Sequence, residues 1–168
     1  MGVQATAMHT RHDPGTRVSP VPADGRQTRY VRLAALPSAV PWARRVLRHM
    51  LHEWQVESMA DPAALLVSEL VTNAVEASAG HTGRDHGMLP MIGLGIRLTA
   101  ASLVLEAWDA SPLRPVPREP GIEGDHGRGL LLIDALADSW GHRAADGGKI
   151  VWCEVAIPSA LASASAAS

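Results

Sequence analysis

The chain has 168 residues, 46% hydrophobic and 19% charged, with a formal net charge of −2. That length fits one domain with a real core, and the charge argues against direct nucleic-acid binding, which needs a basic face. The single cysteine, Cys153, excludes an internal disulfide. No apolar run approaches the ~18 residues of a membrane span, so a cytoplasmic protein without membrane contact is expected.

All the basic residues but Lys149 are arginine, which reads as compositional bias. Residues 1–28 are polar, carry Pro14, Pro20 and Pro22, show no period and read as a disordered tail. Alternation over Arg29–Leu36 (RYVRLAAL) predicts a short edge-type strand. Ser38 fits an N-cap and Pro41 a first turn. The stripe Val40, Ala43, Val46, Leu47, Met50, Leu51 and Trp54 then carries a helix to about Trp54. His49 and His52 are three apart, but with no third ligand close in sequence they read as a solvated face.

Asp61-Pro62 reads as N-cap and first residue of the next helix, which runs to about Ser78 with Gly80 as its stop. Met91–Leu98 and Ser102–Trp108 read as strands joined by Thr99–Ala101, an antiparallel hairpin with Asp109 just past its end. Ala110–Arg128 (ASPLRPVPREPGIEGDHGR) is rich in proline and glycine and too long for a simple connection, which suits a lid. A helix follows from Gly129 to about Asp138, with Leu130, Ile133, Leu136 and Ala137 on one side. Ser139–Arg143 and Lys149–Ile157 read as a final hairpin across Asp146-Gly147-Gly148, and 158–168 as a disordered Ala/Ser tail. The expected organisation is one domain over 29–157. Its fold class is α+β, a two-layer sandwich with a mixed, mostly antiparallel sheet and helices on one face.

One stretch departs from simple patterning. In LLVSELVTNAVEAS (Leu65–Ser78), Leu66, Glu69, Asn73 and Ala77 share a helix face, so a carboxylate and an amide sit in a packing stripe. Buried polar groups cost a few kcal/mol unless partnered, so they mark either a site or a satisfied network. A nucleotide ligand would employ them and two later pieces. The Asn73 amide oxygen can ligate Mg²⁺, and Glu69, one turn earlier, can accept a proton from an attacking hydroxyl. Asp109 can accept a hydrogen bond from an exocyclic amine such as that of adenine. Gly127 and Gly129 admit phosphates at a helix start. Each signal has a plain alternative: Glu69 a buried salt-bridge partner, Asp109 a turn cap, the glycines tight packing.

Together these pieces resemble the histidine-kinase-like ATPase (Bergerat, GHKL) superfamily. ELVTNA (Glu69–Ala74) resembles its N box, WDASP (Trp108–Pro112) its first glycine box and GRGLLLIDALADSWG (Gly127–Gly141) its second. The likeness spans about Arg29 to Ile157 and is greatest to stand-alone anti-sigma-factor serine/threonine kinases. It implies a Bergerat fold with an ATP lid, and ATP and Mg²⁺ as cofactors. By the same resemblance Glu69 would be the catalytic base and Asn73 the Mg²⁺ ligand. Nucleotide contacts would come from Asn73, Asp109, Ser111, Gly127, Arg128, Gly129 and Leu130.

The resemblance implies phosphorylation of an anti-anti-sigma partner and sequestration of a sigma factor. The alternatives are a module that binds ATP and switches partners through its lid without phosphate transfer, and an inert interaction domain. Two departures stand out: Ser111 replaces the first glycine of the usual Asp-x-Gly-x-Gly, and Ala77 stands where many relatives carry a basic residue or histidine. His52-Glu53 mimics a phosphoacceptor pair but lacks a dimerising helical hairpin ahead of the domain. The segment Arg29–Trp54 could carry a homodimer or partner surface.

Overall fold

The computed structural model describes residues 9–10, 27–79, 89–111, 113 and 129–158. Its elements are β1 (His9–Thr10), β2 (Gln27–Ala34), α1 (Ala39–Glu53), α2 (Ala60–Ala79), β3 (Met91–Leu98), β4 (Ser102–Asp109), α3 (Gly129–Leu136), β5 (Ser139–Ala145) and β6 (Gly148–Ala156). A single 3₁₀ turn, Glu57–Met59, precedes α2.

The strands form one sheet in the order β1-β5-β6-β4-β3-β2, and every described pairing is antiparallel. The mixed sheet expected from sequence is therefore purely antiparallel over the described residues. Residues assigned to the N-terminal tail reach both edges of the sheet: His9 and Thr10 pair with β5, and Gln27 and Thr28 open β2.

β4 is the central strand. Ser102 to Ala107 are all buried, as a strand covered on both faces and both edges should be. Its neighbour β3 alternates, with Ile92, Leu94, Ile96 and Leu98 turned to the core. On the face away from that core, Glu106 is held by Arg143 at 3.4 Å.

α2 is the hub of the helical layer and touches α1, α3, β3, β4 and β6. Leu66, Val67, Leu70 and Val71 are fully buried and pack in one cluster with Leu47, Leu94, Ile96, Leu105, Ile133 and Cys153. Each such leucine contributes about 1.5–3 kcal/mol of burial. This packing fixes α2 against the sheet, and so fixes whatever its polar face presents.

β2, β4, β5 and β6 each begin or end one or two residues from the expected limits, and three helix ends also differ from expectation. α2 begins at Ala60, so Asp61 lies inside the first turn and not at the cap. Ser38 makes no side-chain cap hydrogen bond, and its backbone is already helical at φ −65°, ψ −16°. In α3, Leu130 and Ile133 are buried, but Leu136 stays 36% exposed, because the helix stops there instead of at Asp138. The stop expected at Gly80 lies outside the described residues, as does most of the Pro/Gly segment 110–128.

Candidate functional site

The polar face of α2 meets the start of α3. A Cβ added at Gly129 would lie 2.5 Å from Glu69 Oε2 and 3.5 and 3.6 Å from Asn73 Oδ1 and Nδ2. A side chain at this position would displace the Glu69 carboxyl, so glycine lets α3 begin this close without moving it. Glu69, Asn73 and Gly129, far apart in sequence, are thus direct neighbours.

Asn73 Nδ2 is buried and has no hydrogen-bond partner among the described residues. Such a group costs about 1–3 kcal/mol when left unsatisfied, so it points to a ligand beside it. Rotating the amide exchanges nitrogen for oxygen without changing shape, so the position serves a donor or an oxygen ligand equally. Glu69 is half-buried, and burial pushes its carboxyl above the usual range, with the like charge of Glu76 adding to the shift. A carboxylate raised in this way is a better proton acceptor near neutral pH.

Asp109 ends β4 with its side chain on the helical side of the sheet, and it is 1% exposed. Oδ1 accepts the Ser111 N–H at 2.9 Å and an N–H of the Lys149 ammonium at 2.7 Å. The turn-cap alternative is therefore real, since the contact to Ser111 is an Asx turn. It coexists with a buried ion pair that sequence reading missed. Lys149 lies opposite Asp109 in the β4–β6 register and also approaches the Ser111 carbonyl at 3.4 Å. Its one sequence signal was being the sole lysine in an arginine-rich chain. Gly148 permits the closeness: a Cβ there would overlap the Asp109 carbonyl oxygen.

Ser111 is buried, and its hydroxyl accepts the Leu113 N–H at 3.3 Å. Leu130 belongs to the hydrophobic core, so a ligand could meet only its backbone. Gly127 and Arg128 lie outside the described residues.

A family profile, the histidine kinase-like ATPase domain, matches residues 33–154. The chain belongs to that family. No curated protein sequence matches it. Glu69, Asn73, Asp109 and Gly129 all lie within the span that matches this family of histidine kinase-like ATPases.

The residues present fit an ATP–Mg²⁺ pair. The unsatisfied Asn73 amide nitrogen and the cradle that a Cβ at Gly129 would fill both suit such a ligand. The described residues hold no cluster of three or more His, Cys, Asp or Glu able to cage a metal alone. Mg²⁺ does not need one, since it keeps several waters and binds through one or two protein oxygens plus phosphates. The histidine pair on α1 is not part of this site. His49 faces Glu53 at 3.4 Å and His52 faces Glu57 at 2.7 Å, all on the surface. No helix among the described residues is long and apolar enough to cross a membrane.

Proposed function

We propose that this ATPase domain is an ATP-dependent protein serine/threonine kinase of the anti-sigma-factor type. It would phosphorylate a Ser or Thr of an anti-anti-sigma partner and sequester a sigma factor. The observation that carries the reading is the pairing of Glu69 and Asn73 beneath Gly129, with the carboxyl raised and the amide unsatisfied.

Phosphoryl transfer leaves little covalent chemistry to the protein and rests on positioning and charge neutralisation. Glu69 accepts the proton of the attacking hydroxyl. Asn73 supplies an amide oxygen to Mg²⁺, which when bound neutralises charge on the transferring group. Asp109, clamped at the end of β4, accepts a hydrogen bond from the base. Gly129 lets the start of α3 approach the phosphates, where its N–H groups favour anions.

The test is incubation with γ-labelled ATP, Mg²⁺ and a candidate anti-anti-sigma protein. The wild type labels a Ser or Thr of the partner, and Glu69→Ala binds ATP without labelling it. Transfer by Glu69→Ala at the wild-type rate overturns the base assignment. Nucleotide binding by the wild type with no partner ever labelled favours the other reading, a module switched by lid position. The closeness of Gly129 to Glu69 supports that second reading, because it couples the start of α3 directly to the α2 face.

A further inference from the structure

Lys149 is the only lysine among 15 basic residues, and it is 6% exposed. Burying an ammonium and a carboxylate is costly, and replacing such a pair by apolar groups is often neutral or stabilising. Stability alone therefore gives weak reason for an ion pair at this place. Its position gives a stronger one. Lys149 Nζ, the Ser111 N–H and Asp109 Oδ1 form one knot at the end of the central strand, beside the Pro/Gly segment.

A carboxylate that keeps its charge is an acceptor only, whereas a protonated one also donates. With two donors on Oδ1, the Asp109 group is oriented as well as charged. An ammonium is a compact point charge, whereas a guanidinium is planar and larger.

We propose that Lys149 is a specificity-determining positioning residue, holding Asp109 as a fixed hydrogen-bond acceptor that selects a 6-amino purine nucleotide over a 6-oxo one. The proposal rests on the nucleotide-binding reading of this site. A 6-amino group donates to the carboxylate. A 6-oxo group in the same pose sets oxygen against oxygen. Without the ammonium, Oδ1 loses one of the two donors that orient it, the carboxyl turns more freely, and discrimination shrinks.

The experiment is calorimetric titration of the full chain with Mg²⁺ and either ATP or inosine triphosphate, for wild type, Lys149→Met, Lys149→Arg and the double variant Asp109→Asn/Lys149→Met. The wild type favours ATP by about tenfold or more, the size expected for one hydrogen bond to a charged group. In Lys149→Met the ATP preference narrows to within about threefold, and Lys149→Arg recovers it only in part. Asp109→Asn/Lys149→Met binds ATP better than Lys149→Met alone, because the asparagine carbonyl accepts without needing a counter-charge, a non-additive result.

An unchanged ATP-to-inosine ratio in Lys149→Met, whatever the absolute affinity, overturns the proposal and assigns Lys149 to structure alone. If Lys149→Met does not fold, the ratio in Lys149→Ala decides: a ratio equal to the wild type's overturns it. A wild type that binds neither nucleotide fails the nucleotide-binding reading itself, a distinct outcome.

Discussion

Glu69 is in a costly place for a carboxylate, and the cost makes a prediction. Burial raises its folded pKa above the ordinary 4.5, with Glu76 adding to the shift. The ionised form therefore destabilises the fold at any pH above the folded pKa. The penalty fades as pH falls through the folded value and is gone below the unfolded one. Glu69→Gln should then melt higher than the wild type at pH 7 without nucleotide and alike at about pH 4. The same variant should lose phosphate transfer by about 10²–10⁴-fold. Equal melting temperatures at pH 7 would show that Glu69 carries no burial penalty. Asn73→Ala makes the complementary case: Mg²⁺-dependent ATP binding is lost, read by calorimetry, while the fold survives because the buried amide nitrogen has no partner among the described residues to lose. Both residues were legible in sequence because polar side chains interrupted an apolar helical stripe. Lys149 was not, because its meaning comes only from the β4–β6 register that sets it opposite Asp109. Cys153 is fully buried, and burial pushes its thiol far up, which makes it an unreactive core residue.

Two junctions between elements carry opposite predictions for a glycine. At the end of α1, Gln55 takes φ 59°, a left-handed value that costs a non-glycine residue about 1–2 kcal/mol. Its N–H reaches the His52 carbonyl at 3.0 Å and the Val56 N–H reaches the Leu51 carbonyl at 2.9 Å, the two bonds of a Schellman motif. Gln55→Gly should stabilise the protein by about 0.5–1 kcal/mol in urea denaturation. At the start of α3 the reverse holds: the methyl of Gly129→Ala meets Glu69 Oε2, the far end of a flexible side chain, and turns that carboxyl aside. The fold should lose little stability, while phosphate transfer should fall by about tenfold or more as Glu69 leaves its place. A Gly129→Ala protein with wild-type transfer would show that the reaction does not depend on where the Glu69 carboxyl stands. Elements with strong period were readable to the residue: β3 spans Met91–Leu98 as its alternation requires. Helix starts were less so. The 3₁₀ turn Glu57–Met59 feeds directly into α2, so the Asp61-Pro62 start signal sits one turn late. β1 carried no sequence signal, since a two-residue strand has no period and exists only through its pairing with Trp140 and Ser139.

The proposed site gathers residues from four parts of the chain, and this gives the whole molecule a common response. Glu69 and Asn73 stand on α2, Asp109 and Lys149 on adjacent central strands, and Gly129 at the head of α3. α2 touches α3, β4 and β6, so a ligand bridging these elements binds the folded chain and has no counterpart in the unfolded one. Ligand binding then adds stability by mass action, about 2.7 kcal/mol at a hundredfold excess over Kd. For a chain of this size that corresponds to a rise of about 5–10 °C in Tm. The shift should require Mg²⁺ and vanish in Asn73→Ala. It should persist in Glu69→Ala, where binding is kept and transfer is not. A substitution outside the site separates this from general weakening. Leu70→Ala removes a fully buried side chain and should lower the starting stability by about 2–5 kcal/mol. Its ATP-induced gain should nevertheless equal the wild type's, because the lining residues are untouched. A gain that shrinks with the starting stability would mean that the ligand stabilises through loose association, not through the α2–β4–α3 constellation.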